Sequence, residues 1–172
     1  GDITLGWLFI PFFLLVTIGT SFAVNQTDGL DGLAGGVLLV AFACYSVISF
    51  MQGHDNLSAL LAVVSGSLLA FLWFNVHPAR FFMGDTGSMG LGVLLAIVAF
   101  LTNNVLLLPL IGFVFVIEAG SYFIQLLWRI VFKKKFFLSA PIHHHLEALG
   151  WPEAKITMRF WILSSMAGIM AI

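Results

Sequence analysis

Two short polar stretches, rich in carboxylates, amides and glycines, interrupt a sequence that is otherwise apolar. The first, residues 25–32, reads NQTDGLDG. If this stretch is helical, Asn25, Asp28 and Asp31 share one helical face, and Gly29 leaves the backbone open to a ligand. A turn that caps the next helix would explain one polar side chain, but not four. We therefore expect residues 25–32 to line a binding site.

The second polar stretch, residues 75–88, contains Asp85 among glycines, directly before an apolar segment. The simplest role for Asp85 is that of a helix N-cap. Alternatively, Asp85 binds Mg²⁺, which usually takes one or two protein carboxylates, and the amides around Gly84 hold a phosphate. Phe81 or Phe82 would then stack on a nucleobase, although lipid or core contact is the simpler role for a phenylalanine. Spacing alone leaves both interpretations open.

A third polar stretch, residues 141–147, contains the adjacent histidines His143, His144 and His145. Adjacent histidines cannot all reach one ion from a helix, and no cysteine is nearby, so a zinc site is disfavoured. Histidines titrate near neutral pH and suit proton handling or phosphate contacts. The preceding lysines, residues 133–135, would hold either anionic lipid or a phosphorylated soluble donor at the membrane surface.

The composition indicates which elements must position these stretches. The 172 residues are 60% hydrophobic and 9% charged, whereas soluble domains contain about 25% charged residues. Long continuous apolar runs favour membrane helices over β-barrel strands. We therefore expect an all-α, polytopic transmembrane protein that forms a single integral membrane domain over residues 1–172. The expected spans are 3–24, 33–51, 57–76, 86–104, 105–132 and 156–172.

The connections between these spans alternate between two membrane faces. Residues 25–32, 75–88 and 133–155 belong to one face, and all seven lysines and arginines lie in or near them. The positive-inside rule places this face in the cytoplasm. The three polar stretches then meet at one face, as an active site at the lipid–water boundary requires. Asp2, His54 and Asp55 are expected at the opposite face.

Two further polar residues, Glu118 and Gln125, lie within the fifth expected span, on one helical face. An ionisable residue inside a span is costly and normally faces protein or water. Glu118 would mark an ion pathway if the protein were an ion-coupled transporter, whereas Gln125 lies nearer the cytoplasm and can reach a ligand there. Most polar residues cluster at one face and not at mid-membrane, so a transporter is the weaker alternative.

Three motifs taken together carry a family resemblance: NQTDGLDGLAGG at 25–36, FFMGDTGSMGLG at 81–92 and PIHHHLEALGW at 141–151. The chain resembles the phospho-N-acetylmuramoyl-pentapeptide-transferase family, among the polyprenyl-phosphate N-acetylhexosamine-1-phosphate transferases, along essentially its whole length. The resemblance implies Mg²⁺-dependent transfer from UDP-MurNAc-pentapeptide to undecaprenyl phosphate. The products would be lipid I and UMP, formed at the cytoplasmic side of the bacterial inner membrane. A UDP-GlcNAc-specific transferase and a non-catalytic membrane subunit remain alternatives, and the oligomeric state, a homodimer included, stays open.

The resemblance also implies roles for individual residues. Asp85 matches the family's metal-binding aspartate. The implied catalytic set is Asp28, Asp31, Asp85, His143, His144 and His145. The implied substrate-binding set, which includes the uridine site, is Asn25, Asp28, Gly29, Leu30, Asp31, Asn75, Phe82, Gly84 and Gln125.

In one respect the sequence departs from the family. The family has ten helices and carries a D-D-x-x-K motif in its earlier half, but no adjacent pair of aspartates occurs in these 172 residues. We therefore expect the chain to be the C-terminal portion of a larger transferase, and to be inactive alone.

Overall fold

The computed structural model describes residues 6–172, and every regular element within them is helical. This confirms the predicted all-α class. Two 3₁₀ turns, Gly6–Leu8 and Val105–Leu107, accompany the α-helices. The helices are α1 (Phe9–Thr27), α2 (Leu33–Met51), α3 (Asp55–Asn75), α4 (Gly84–Leu101), α5 (Leu108–Ile111), α6 (Phe113–Phe132), α7 (Ile142–Ala148) and α8 (Glu153–Ala171).

Within the described residues, five helical segments are long and apolar enough to cross a membrane. The chain is therefore a multi-pass membrane protein. Residues 3–5 of the first expected span, and Asp2, lie outside the described part. The sixth expected span coincides with α8, which is less apolar than the others because Glu153, Lys155 and Arg159 lie in its first two turns. The crossing of the membrane by α8 stays a prediction.

The region of the expected fifth span, 105–132, is not one continuous helix. A 3₁₀ turn and the short α5 precede α6, and Gly112 interrupts the helix with φ −92° and ψ 30°. Pro109 lies in the first turn of α5, where its missing N–H breaks no helical hydrogen bond. The continuous helix therefore begins only at Phe113.

Helix α2 is the centre of the bundle, with α3 and α8 packed against it, while α1 packs against α4 and α6. Large side chains of α2 such as Phe42 and Tyr45 are completely buried. Small residues let membrane helices approach closely. A Cβ at Gly36 would overlap the Trp161 indole, so α8 lies directly on α2 at this point.

The connections separate into two ends of the bundle, as the alternating topology predicts. At one end, the Gln52 side chain donates a hydrogen bond to the Thr102 carbonyl over 3.0 Å. The Tyr45 hydroxyl donates to the Asn104 carbonyl over 3.3 Å at the same end. The other end contains the three polar stretches.

Candidate functional site

The turn formed by residues 28–32, here called the first connection, lies at the centre of the polar end. Helix α1 ends at Thr27, so Asn25 is helical whereas Asp28 and Asp31 are not. The expected single helical face is therefore not formed. No side chain caps α2, which follows Gly32, so the polar residues of this stretch are not consumed in capping.

Asp85 lies in the first turn of α4, beside the end of α1. The helix begins after Met83 without a side-chain cap, so Asp85 is not an N-cap. The Asn25 side chain donates to Asp85 Oδ1 over 2.9 Å and to Ser88 Oγ over 3.1 Å. Asp85 is otherwise exposed, and the positive end of the α4 dipole favours a negative charge here.

The carboxyl group of Asp28 lies near that of Asp85. Burial, followed by repulsion from the Asp85 carboxylate, raises the pKa of Asp28 above its ordinary value, and a backbone hydrogen bond from Gly84 acts in the opposite direction. A cation between two mutually repelling carboxylates would remove this electrostatic cost. Two carboxylates with an accessible side also suit Mg²⁺, which keeps several water or phosphate ligands. These residues therefore fit the expected ion.

Asp31 contacts a different set of residues. Its Oδ2 accepts a hydrogen bond from the Ala79 amide over 3.0 Å and lies 3.1 Å from His77 Nδ1. Glu153 Oε2 lies 3.3 Å from the same histidine nitrogen. The three side chains offer atoms within 4.8 Å of one another, a spacing that a metal could use. One proton on Nδ1, shared between two carboxylates, explains the arrangement equally well, so we assign no metal there.

One face of α8 supports the backbone of the first connection. Glu153 Oε1 accepts from the Asp31 amide over 2.6 Å. The Thr157 hydroxyl donates to the Asp31 carbonyl over 3.2 Å, and the Trp161 indole donates to the Gly32 carbonyl over 3.0 Å. Residues spaced by four share a helical face, so a single side of α8 supplies all three contacts.

Asn75 and Phe82 lie in contrasting environments. Asn75 is buried; its Oδ1 accepts from the Gly32 amide over 3.1 Å and its Nδ2 donates to the Phe81 carbonyl over 2.7 Å. Its amide therefore joins two backbone segments. Phe81 packs edge-on against Phe74, whereas Phe82 is 75% exposed and is the more accessible ring for a nucleobase.

The three adjacent histidines have three different partners. His143 Nδ1 lies 2.8 Å from Glu118 Oε2 in a completely buried pair. His144 Nδ1 lies 2.6 Å from Glu147 Oε2, and His145 Nδ1 accepts from the Leu138 amide over 3.2 Å. Because these nitrogens contact separate groups, they do not form one metal site.

His143 also contacts the first connection, since a Cβ at Gly29 would overlap its ring at Nε2. Gly29 directly follows Asp28, the neighbour of Asp85. The structure therefore brings Asp85 and His143 to the same end of the bundle, both beside the first connection, as predicted.

Comparison with known families agrees with this arrangement. The family model described as glycosyl transferase family 4 matches residues 1–103. The chain belongs to glycosyl transferase family 4.

Several relatives carry the name phospho-N-acetylmuramoyl-pentapeptide-transferase. The family 4 chain is 42% identical to the one from Methylacidiphilum infernorum and 44% identical to the one from Bartonella quintana, each over 185 residues, and 46% identical over 158 residues to the one from Rubrobacter xylanophilus. These alignments cover 99%, 99% and 92% of this chain, and 50%, 52% and 48% of the relatives. The chain thus spans about half the length of the curated relatives it matches.

In this family 4 chain, Gln125 is bonded to the segment that follows α6. Its Oε1 accepts from the amides of Phe136 and Phe137, both over 2.9 Å, and its Nε2 donates to the Phe137 carbonyl over 3.2 Å. Gln125 also lines a cavity of about 300 Å³ with Arg129 and Lys135. A uridine contact from Gln125 would compete with these backbone hydrogen bonds.

Sequence reasoning missed the supporting residues of the site. His77, Glu153, Thr157 and Trp161 all position the first connection, yet none of them lies in a recognisable catalytic pattern. The four-residue spacing of the last three was a signal for a shared face of α8. The pairing of Glu118 with His143 was also missed, because it depends on how the chain returns after α6.

Proposed function

We propose that the complete enzyme containing this chain transfers phospho-MurNAc-pentapeptide from UDP-MurNAc-pentapeptide to undecaprenyl phosphate, forming lipid I and releasing UMP. The observation that carries the proposal is the position of the first connection. Its Asp28 lies near Asp85, and its Gly29 contacts His143. The names of relatives that are 42–46% identical to this chain support the same reaction. The grouping of lysines and arginines supports a site on the cytoplasmic side of the bacterial inner membrane.

Asp85 and Asp28 are the residues that would hold Mg²⁺. When bound, the ion supplies Lewis-acid neutralisation of the diphosphate oxygens. Asn25 holds Asp85 Oδ1 in place, so the carboxylate needs little reorganisation when substrate arrives. The exposed Phe82 ring is the candidate stacking surface for uracil.

The reaction itself requires little acid–base chemistry from the protein. An oxygen of the lipid phosphate, already ionised at neutral pH, forms a bond to the sugar-linked phosphorus of the donor. The bond from that phosphorus to the bridging oxygen breaks, and its electron pair leaves with UMP. Positioning and electrostatic stabilisation therefore supply most of the acceleration. His143, His144 and His145 are the candidates to contact the diphosphate or the departing UMP.

The experiment that tests the proposal compares Asp85→Asn with the wild type in the complete enzyme. We expect UMP release with undecaprenyl phosphate as acceptor to fall by more than about 100-fold, the size typical of a lost electrostatic contact, with the melting temperature retained. Asp55→Asn, at the opposite end of the bundle, is the control and should change turnover less than about threefold. Near-normal turnover of Asp85→Asn at limiting Mg²⁺ would contradict the metal assignment.

Two further assays separate the alternatives. UDP-GlcNAc in place of UDP-MurNAc-pentapeptide should release little UMP, and efficient release would favour the UDP-GlcNAc-specific transferase. Residues 1–172 expressed alone should form no lipid I, since the family's D-D-x-x-K motif is not among them. Robust turnover by that chain would show that the motif is dispensable.

A further inference from the structure

Two cations in the first two turns of α8 are held against one aromatic ring. Lys155 Nζ and the guanidinium carbon of Arg159 each lie 4.5 Å from the centre of the Trp151 ring. A cation over the face of an indole is attracted by the ring electrons. Trp151 itself packs against the hydrophobic core, so the ring is a fixed support. The two cationic side chains are therefore held near one point, although both are exposed.

No carboxylate neutralises this pair of cations in the described part of the chain. Within residues 6–172, every ion pair joins a histidine to a carboxylate, so neither Lys155 nor Arg159 has such a partner. Glu153, the nearest carboxylate in the sequence, is bonded instead to the Asp31 amide and lies 3.3 Å from the His77 ring. Two like charges beside one ring repel each other. An anion that contacts both cations would remove this repulsion.

The rest of α8 has a buried side and an exposed side. The buried side packs against α2, where a Cβ at Gly168 would overlap the Cys44 thiol. The exposed side is apolar and is here called the outer stripe. Its residues, which are 58–76% exposed, are Met158, Ile162, Met166 and Ile169. Because these residues are spaced by three or four, they form one continuous face, which starts beside Lys155 and Arg159.

The length of the outer stripe matches one leaflet of a bilayer. From Met158 to Ile169 the helix rises by about 16 Å, and half of a hydrocarbon core is about 15 Å thick. An acyl chain that lies along the outer stripe therefore places its headgroup phosphate at the level of Lys155 and Arg159. Lysines and arginines at the cytoplasmic membrane surface attract anionic lipids.

A second copy of this chain would fit the same face poorly. Two copies related by a two-fold axis present the same patch to each other. In a membrane this axis runs along the bilayer normal, so Lys155 and Arg159 would meet the same cations at the same depth. A zwitterionic lipid would cover the outer stripe but would bring no net negative charge. The charge of the face thus favours an anionic lipid as its occupant.

We propose that α8 binds an anionic phospholipid of the phosphatidylglycerol type at this face. The lipid phosphate contacts Lys155 and Arg159, and one acyl chain lies along the outer stripe. Trp151 is a positioning residue that holds the two cations for the headgroup. The proposal requires α8 to cross the membrane, but it does not depend on the reaction proposed above. The lipid site lies on a side of α8 other than the one that holds the first connection.

The first test is photo-cross-linking in the complete enzyme, reconstituted in phosphatidylcholine nanodiscs. The probe is phosphatidylglycerol with a diazirine in the middle of one acyl chain, and labelled residues are identified by mass spectrometry. We expect labels on the outer stripe, at Met158, Ile162 or Met166. Phosphatidylcholine with the same diazirine should label this stripe at least about tenfold less, since each cation near the surface strengthens the binding of an anionic lipid about fivefold.

Charge variants test the headgroup contact. Lys155→Gln combined with Arg159→Gln should reduce labelling by the phosphatidylglycerol probe to the level of the phosphatidylcholine probe. Lys155→Arg combined with Arg159→Lys keeps both charges and should retain at least about half of the labelling. Lys133→Gln combined with Lys134→Gln is the control: it removes the same net charge from the same membrane face, and should change labelling of the outer stripe less than about twofold.

Trp151→Leu tests the positioning role of the indole. Leucine keeps an apolar side chain at this position but has no ring face, so the two cations lose their support. We expect labelling by the phosphatidylglycerol probe to fall about 2–5-fold, with the melting temperature as the check that the fold is kept. Trp151→Phe retains a ring and should fall less than Trp151→Leu. Unchanged labelling in both variants would refute the positioning role.

Three outcomes would overturn the lipid site itself. If no label appears on the outer stripe, another helix of the complete enzyme or a second copy covers this face. Equal labelling by the two probes, or equal losses in the glutamine pair and the lysine control, would show that the two cations do not select the lipid. If undecaprenyl phosphate displaces the probe at lower concentrations than unlabelled phosphatidylglycerol does, the site belongs to a polyprenyl phosphate and not to a phospholipid.

Discussion

The side-chain amide of Asn25, in the last turn of α1, donates to Oδ1 of Asp85, in the first turn of α4, over 2.9 Å. The same amide nitrogen lies 3.1 Å from Ser88 Oγ, which in turn donates to the Gly84 carbonyl over 3.0 Å. The Asp85 carboxylate belongs to α4 but is held by a side chain of α1, so the packing of these two helices fixes its orientation. The orientation of Asp85 depends on the arrangement of the bundle as well as on its own turn.

Asn25→Ala should weaken the response of the complete enzyme to Mg²⁺. Loss of a residue that orients a metal ligand typically costs about 10–100-fold in metal affinity or activity. We expect the half-saturating Mg²⁺ concentration to rise by at least about tenfold, as measured by UMP release over a magnesium titration. Asn104→Ala, at the opposite end of the bundle, is the control and should leave the titration unchanged. An unaltered titration in Asn25→Ala would contradict the orienting role.

Asp28→Asn should stabilise the fold when no divalent cation is present. The pKa of Asp28 is raised above 3.8 by burial and by the Asp85 carboxylate, so the folded state binds more protons than the unfolded state between the two values. The resulting stabilisation is complete below pH 3.8 and is lost as the pH rises through the folded-state pKa. The ionised carboxylate is therefore unfavourable at neutral pH.

The measurement is the melting temperature of the complete enzyme at pH 7, with Mg²⁺ either chelated or added. When Mg²⁺ is chelated, we expect Asp28→Asn to have a higher melting temperature than the wild type. Added Mg²⁺ should raise the melting temperature of the variant less than it raises that of the wild type. Asp55→Asn, whose carboxyl group lies at the other end of the bundle, should follow the wild type in both conditions. A lower melting temperature of Asp28→Asn under chelation would show that Asp28 is not under electrostatic repulsion.

The helices were largely predictable because membrane spans are specified by the length of apolar runs. The expected span 33–51 coincides with α2, where Gly32 and Gln52 end the run sharply. The break at Gly112 was not predictable from hydropathy, since neither Pro109 nor Gly112 shortens the apolar run. Whether such residues interrupt a helix depends on its neighbours, which a single sequence does not show.

The region of the site was predictable, but several contacts within it were not. Residue types placed Asp28, Asp85 and the histidines at one end because polar groups gather where a membrane protein meets water. The partner of each side chain depends on the tertiary fold: Glu118 and His143 are 25 positions apart in the sequence. Asn75 likewise matches an implied substrate residue, yet its amide is bonded to the protein's own backbone.

Gln125→Glu should retain most of the activity that Gln125→Ala loses. Glutamate keeps the oxygen that accepts from the amides of Phe136 and Phe137. It replaces the 3.2 Å donation to the Phe137 carbonyl with a carboxylate oxygen that repels this carbonyl, and its charge enters the cavity lined by Arg129 and Lys135. If Gln125 acts by holding this segment, we expect Gln125→Glu to fall less than about threefold and Gln125→Ala more than about tenfold in kcat/KM. Equal losses in both variants would instead indicate that the amide N–H contacts the nucleotide.

Gly36→Ala should destabilise the complete enzyme, because α2 and α8 meet without space for a side chain at this position. The added Cβ would overlap the Trp161 indole, whose Nε1 donates to the Gly32 carbonyl over 3.0 Å. Displacing the ring breaks this bond and releases one support of the first connection. Overpacking of this kind costs about 1–3 kcal/mol, so we expect a lower melting temperature together with reduced lipid I formation.

Gly66→Ala and Trp161→Phe separate the consequences of this contact. In the described part of the chain, no atom beyond the neighbouring residues and backbone of its own helix lies within 4 Å of a Cβ at Gly66. That variant should therefore be neutral or more stable by about 0.5–1 kcal/mol, as alanine is in helices. Trp161→Phe keeps an aromatic ring beside Gly36 but removes the indole N–H, and should cost about 1 kcal/mol. If Gly36→Ala melts with the wild type while Trp161→Phe does not, the hydrogen bond to Gly32, and not the close approach of the two helices, holds α8 in place.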